Sequence, residues 1–216
     1  VRSVADRMHK RWMIRGLAAA MAIGLLIVAA VYARNVVERR QTRQERYAVW
    51  SAFLNREFLD GPHDYGSSNC RLIIRNRTVW SSGEEQPVRD AIRAWLSLLG
   101  PSHSPVVAVG LDTARGYLRR NVWRESVTRD FDLRAPYELV ASSETPPSIG
   151  WDAFDRRFPD HCGWVTLSVV GFDSDRTEAL FRENHYCPLC GGGGFVLMRK
   201  KGGKWYVAEH VRSWVS

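Results

Sequence analysis

Hydrophobic and polar positions alternate along this chain with three different periods, and each period predicts a different kind of element. The first is an unbroken apolar run. Gly16 to Ala33 reads Gly-Leu-Ala-Ala-Ala-Met-Ala-Ile-Gly-Leu-Leu-Ile-Val-Ala-Ala-Val-Tyr-Ala and holds no charge. As a helix rising about 1.5 Å per residue it spans about 27 Å, close to the hydrocarbon thickness of a bilayer. Trp12 and Tyr32 bracket it, as interfacial aromatics bracket a membrane span. The run is longer than a signal-peptide core, so an uncleaved signal anchor is expected.

The second period is helical. After the span, Val36 to Leu59 continues as helix, with Tyr47, Trp50, Leu54 and Phe58 on one face until Gly61-Pro62 ends it. Pro87 to Leu99 carries an apolar stripe through Val88, Ala91, Ile92, Trp95, Leu98 and Leu99 and stops at Gly100-Pro101. A shorter helix is expected from Asp112 as N-cap to about Val122, and another over Trp151 to Phe158, closed by Pro159. Residues 60–69 are a polar turn region. The prolines at 136, 146 and 147 suggest loop or extended chain across 123–150.

The third period is two. Cys70 to Trp80 reads as a strand with Leu72, Ile74, Thr78 and Trp80 on one face and Arg71, Arg75 and Arg77 on the other. Trp164 to Phe172, Thr177 to Tyr186, Phe195 to Lys200 and Lys204 to Val211 follow as a meander. Asp173-Ser174-Asp175 makes one turn, and Gly202-Gly203 makes a two-residue hairpin. Helices first and consecutive strands last predict an α+β fold, an N-terminal transmembrane helix followed by helices packed on an antiparallel β-meander. The expected organisation is a basic cytoplasmic tail (1–15), the transmembrane signal anchor (16–33), a juxtamembrane helix (34–59) and an α+β globular domain (60–216).

Charge sharpens this picture. The net charge of +8 suggests a nucleic-acid binder until it is located along the chain. Residues 1–46 carry ten Lys/Arg against three Asp/Glu, whereas residues 47–216 carry 21 against 20. The body is therefore close to neutral, and the clustered cations that displace counterions from phosphate are missing from it. No nucleic-acid partner is expected, and basic flanks around a span explain the same residues. Five arginines or lysines precede the span and five arginines follow it, so the positive-inside rule is silent on orientation. The short tail and the export-like apolar run place the domain in the periplasm or outside the cell, on a single-pass anchor. The membrane, through Gly16 to Ala33, is thus the first expected partner, and a protein or envelope component the second.

Candidate chemistry is concentrated in one corner, Cys187-Pro-Leu-Cys190 followed by Gly191 to Gly194. Four cysteines in an exported domain are usually oxidised, so Cys70, Cys162, Cys187 and Cys190 are disulfide candidates, with three full pairings open. A zinc knuckle is the alternative, with Cys187, Cys190, Cys162 and His185 as candidate ligands and Cys70 or His161 as substitutes. It lacks a second C-x-x-C. A thioredoxin-like site would need a strand before the pair and a helix after it, and here the pair sits between strands. The four glycines lack the G-K-[ST] of a phosphate loop and read as a connection. No cofactor is expected unless zinc is bound.

No H-E-x-x-H or G-x-S-x-G is present, and no catalytic residue is assigned. His63-Asp64 lies in a turn, and Asp173 with Asp175 is explained by a hairpin turn as well as by calcium. Trp80, Trp95, Trp151, Trp164 and Trp205 fall at core-facing positions, with an aromatic binding platform as the alternative. The expected function is a non-catalytic binding or interaction module, against a thiol- or zinc-dependent protein centred on the C-x-x-C.

Ser168-Val-Val-Gly-Phe172, Cys187-Pro-Leu-Cys-Gly191, Gly203-Lys-Trp205 and Trp214-Val-Ser216, with Ile74 to Thr78 more loosely, together resemble a recurrent pattern in functionally uncharacterised bacterial exported or membrane-anchored proteins. The resemblance covers the last third of the chain. It implies a bacterial source and an architecture of this kind, and no activity.

Overall fold

The structure is a computed structural model that describes residues 4–59, 71–79, 109–187 and 191–215; for residues 4–27, 35 and 59 it describes the backbone alone. The expected turn at 60–69 and the expected helix Pro87 to Leu99 lie outside the described residues, as do Cys70, Trp80, Trp95 and Cys190. The chain divides into two units, residues 1–44 and 45–216.

A single helix, α1 (Val4–Leu54), runs unbroken across that boundary and ends in a π-helical turn, Asn55–Leu59. No helix among the described residues is long and apolar enough to cross a membrane. The backbone of Gly16 to Ala33 is helical throughout, and where its side chains are described Val28, Val31 and Tyr32 are exposed.

The remaining elements are β1 (Arg71–Arg75), α2 (Leu111–Arg120), β2 (Tyr137–Val140), a 3-10 turn (Ser142–Glu144), α3 (Pro146–Ile149), α4 (Trp151–Arg157), β3 (His161–Leu167), β4 (Gly171–Phe172), β5 (Glu178–Tyr186), β6 (Gly191–Lys201) and β7 (Lys204–Val215). They form an α+β domain on one sheet ordered β2-β1-β3-β5-β6-β7, with β4 pairing β5. The expected antiparallel meander needs correction, because the sheet is mixed. The half β3-β5-β6-β7 is antiparallel, whereas β1 runs parallel to both β2 and β3. Parallel strands are covered on both faces. Leu72, Ile73 and Ile74 are accordingly all buried, Leu72 and Ile74 toward one core cluster and Ile73 toward another.

The last turns of α1 form the main core with one face of the sheet. Trp50, Phe53 and Leu54 are almost wholly buried against Val165, Leu167, Phe181, Val196 and Met198. A polar stripe one helical turn apart has a second task. Tyr47 Oη accepts from Thr128 N at 2.7 Å, Ser51 Oγ accepts from Asp132 N at 2.9 Å, and Asn55 Oδ1 accepts from Arg134 N at 3.1 Å. Side chains of α1 and of the π-helical turn that ends it thus serve segment 128–134 as a neighbouring strand would, which is why that segment shows no period of its own. Glu45 closes the other end of the packing. It accepts from Lys200 Nζ at 2.7 Å and from Trp205 Nε1 at 2.8 Å. Burial raises its carboxyl pKa, but those hydrogen bonds and the charges of Lys200 and Arg176 outweigh it and hold the group below its ordinary value.

On the opposite face α2 lies directly on the sheet. Its start is set by Gly110 as N-cap, not Asp112, and Glu178 holds that end by accepting from Gly110 N at 2.6 Å and Thr113 Oγ1 at 2.9 Å. Asn121, at its C-terminus, lends its amide to Val169 as a strand neighbour would, accepting from Val169 N at 2.9 Å and donating to Val169 O at 2.8 Å. Gly202 and Gly203 have φ of 57° and 78°, the left-handed pair that a two-residue hairpin requires, and β7 leaves them to run to Val215.

Candidate functional site

The four glycines after the C-x-x-C are not a connection. Gly191 to Gly194 open strand β6, all four paired with β5 and the last three with β7 as well, and all four are buried. Their missing side chains make room for those of the neighbouring strands. A Cβ on Gly193 would sit 2.4 Å from Asn184 Oδ1 and 2.7 Å from Trp214 Nε1, and one on Gly192 would press on the His185 ring at 3.2 Å. On Gly194 it would meet Val211 O at 2.0 Å, at a register shift where β7 bulges toward β6.

This glycine-paved end of the sheet, on the face covered by α1, holds a charged cluster. Glu183 lies opposite Gly194 and His185 opposite Gly192 on β5; His210 and Arg212 come from β7. Glu183 is 1% exposed. His210 Nε2 stands 3.0 Å from Glu183 Oε1, and His185 Nδ1 stands 3.7 Å from Oε2. The other His210 nitrogen, Nδ1, faces Glu57 Oε1 at 3.9 Å, and Arg212 reaches the same Glu57 oxygen at 3.4 Å. Glu57 is supplied by the π-helical turn, a widened turn frequent where a helix has a local task. Phe53 and Phe58 set ring edges against His210 and His185 with centroids at 5.6 and 5.8 Å, sealing the cluster from α1.

A carboxylate buried this deeply is costly unless cations face it. Burial pushes the Glu183 carboxyl up, while polar contact with His185 and His210 and their positive charge pull it down and prevail. The contacts are close without being aligned, since neither Glu183 oxygen receives an in-line N–H. His210 therefore acts as a bridge between two carboxylates, with one nitrogen toward each. Chemically the cluster stores charge inside the domain and ties β5, β7 and the end of α1 together.

The sequence-predicted ligands are not gathered here. Of those among the described residues only His185 joins the cluster, where it is turned to Glu183. Among the described residues no cysteine is free, and Cys162 and Cys187 are both disulfide-bonded, so neither offers a thiolate. No group of three or more His, Cys, Asp or Glu among the described residues is arranged to hold a metal ion. His161 is fully used in place: Gly163 N donates to its Nδ1 at 2.7 Å, so Nε2 donates to Asp155 at 2.8 Å while Trp151 stacks on the ring. Asp173 is used as well, accepting from Thr177 N at 2.8 Å, Glu178 N at 2.9 Å and Thr177 Oγ1 at 2.7 Å to close its turn. The open hollow of about 710 Å³ beside it is lined by Leu111, Asp112, Arg115, Lys200 and Tyr206 among others, with charges of both signs.

Sequence reasoning missed Glu183, His210 and Glu57. The one available signal was Glu183-x-His185, which puts two ionisable groups on one face of a buried strand. Breaking the Cys162 bridge by Cys162→Ala is expected to cost about 2–4 kcal/mol by freeing the unfolded chain. Unfolding with and without reductant checks this: the variant's midpoint should match that of the reduced wild type more closely than that of the oxidised form.

No protein family matches the chain, and neither a curated protein nor a solved structure does.

Proposed function

We propose that the protein is a membrane-anchored binding module whose domain, residues 45–216, lies outside the cytoplasm. The observation that carries this reading is the uncharged run Gly16 to Ala33 inside the unbroken helix α1, with Val28, Val31 and Tyr32 exposed at 66%, 54% and 71%. Large apolar side chains at such exposure along one helix are stable in lipid and poorly tolerated in water. The oxidised state of Cys162 and Cys187 supports an oxidising compartment for the domain. Binding is favoured over catalysis because the ionisable groups that could do chemistry are committed: His161 and Asp173 to local structure, Glu183 to its sealed cluster.

Expression of the full chain in a bacterial host tests both halves of the reading. The protein should stay with the membrane fraction through alkaline carbonate, and protease added to spheroplasts should degrade the domain. Release into the carbonate supernatant would remove the anchor. Protection from protease, with digestion only after lysis, would place the domain inside and overturn the orientation.

A further inference from the structure

The parallel part of the sheet is ordered β2-β1-β3, so the chain leaves β1 for a neighbour on one side and later returns on the other. In open sheets such a reversal opens a crevice beyond the carboxyl ends of the strands, the usual place for a ligand. Arg75 ends β1, and Arg77 follows it. Residues 76–78 run antiparallel to residues 125–127: Arg77 bridges Ser126, Thr78 N donates to Glu125 O at 2.9 Å, and Val127 N donates to Asn76 O at 2.8 Å. Alternate residues of such a ladder share a face. Arg75, Arg77 and Ser126 therefore fall on one side, with Arg124 continuing it. Glu125 falls on the other, where it meets Arg46.

On that side Arg75 feels two like charges, Arg124 and Arg77. Burial lowers the pKa of the Arg75 guanidinium, Arg124 lowers it further, Tyr186 opposes, and Arg77 lowers it again. Arg75 Nε is buried without a hydrogen-bond partner. Glu138, on β2, is taken by Arg71 at 3.1 Å. Guanidiniums that repel one another around a buried, unmet donor raise the energy of the folded domain, and an oxyanion would lower it by neutralising the charge and accepting the N–H.

We propose that Arg75, Arg77 and Arg124 form a binding site for a phosphoryl group at the carboxyl end of β1. Guanidinium forks match the oxygens of a phosphate, and three of them suit a tetrahedral oxyanion better than the planar carboxylate of a side chain. The phosphoryl group could come from a free phosphate ester or from a phospholipid headgroup. The site stands on the folded domain and not on the anchored reading, so the two can fail separately.

The test uses the full chain in non-ionic detergent, with thermal unfolding followed against inorganic phosphate at an ionic strength held constant with chloride. A saturable rise in midpoint with phosphate is expected. Arg77→Gln with Arg124→Gln, both at exposed positions, should weaken phosphate binding by about tenfold or more, the loss expected when charge-assisted hydrogen bonds are removed. Arg124→Lys, which keeps the charge and gives up the fork, should fall between. Circular dichroism of each variant controls for folding, and Arg124→Lys alone still decides the matter if the double variant does not fold. Doping the micelles with phosphatidylglycerol separates the sources: a headgroup site gives up its response to phosphate, and a free-phosphate site keeps it. An equal response to phosphate and chloride, or a double variant that folds and binds as the wild type does, would overturn the proposal.

Discussion

Glu183→Ala is expected to destabilise the domain by about 3 kcal/mol at neutral pH, the low end of the range for removing one partner from a buried ion pair. In a domain of this size that lowers the unfolding midpoint by about 6–12 °C. The size follows from burial and company. The carboxylate is 1% exposed, faces His210 at 3.0 Å and His185 at 3.7 Å, and is the one negative group holding both rings to β5. Its removal leaves His210 with Glu57 alone, at the edge of the cluster. Adding His210→Ala should then cost less than it does in the wild type, because the pair acts as a unit. The pH dependence carries the same signature. The folded-state pKa of Glu183 lies below its unfolded value, so its contribution is fully present above the unfolded carboxylate pKa of about 4.3 and fades as pH falls through the lower folded value. The wild type should lose stability steeply below about pH 4, and Glu183→Ala should show a shallower slope there. Denaturant unfolding of both at several pH values measures this. Parallel slopes would mean that Glu183 is not held by the histidines.

How far the sequence shows the fold depends on where each residue finds its partners. Gly202-Gly203, the helix at Trp151, the strand 178–186 and the strand from Lys204 to Val211 are legible because their signals are local, a turn pair, a stripe, an alternation, whereas the extension of β7 to Val215 is not. The mixed sheet is not. The strand around Leu72-Ile73-Ile74 fits an alternation with one face in, yet Ile73 is buried as deeply as Ile74. Three apolar residues in succession are the mark of a strand covered on both sides, and the arginines around them hide it. The glycine run is the plainest case. Taken alone, four glycines are flexible chain. In the fold they are strand, because Asn184 and His185 from β5 and Trp214 and Val211 from β7 occupy the space where side chains would stand. Those neighbours lie up to 22 residues away, and no local rule reaches them. The charged cluster is hidden for the same reason. Glu57, Glu183 and His210 are brought together by the register of β5 and β7 and by the end of α1, so only the Glu183-x-His185 fragment could be seen beforehand. Tryptophans divide similarly: Trp164 and Trp205 are buried as expected, and Trp123, which lies in no periodic segment, is exposed.

Gly171→Ala is expected to cost about 3 kcal/mol, at or above the upper end of ordinary overpacking, because the atoms it strikes cannot turn aside. A Cβ at 171 would lie 2.1 Å from Tyr117 N and 2.3 Å from Tyr117 Cα, both backbone atoms of α2. The approach is reciprocal, since a Cβ on Gly116 would lie 2.4 Å from Phe172 O. Helix and strand therefore touch backbone to backbone, and a methyl group on either can enter only if α2 moves off β4. That movement would disturb Tyr117, which is buried against Leu180, Phe195 and Leu197, and would pull Asn121 from its two hydrogen bonds to Val169. The glycine in Ser168-Val-Val-Gly-Phe172 thus has a packing reason that needs no activity. Gly202→Asn separates this effect from the general loss of a glycine. That residue has φ of 57° with nothing within 4 Å of a new Cβ, and asparagine accepts the left-handed conformation at a cost of about 0.5 kcal/mol or less. Chemical denaturation should rank Gly171→Ala far below Gly202→Asn, with Gly116→Ala beside the former. A Gly171→Ala variant as stable as Gly202→Asn would mean that α2 sits further from β4 than the 2.1 Å contact requires, and the packing account of the motif would fail with it.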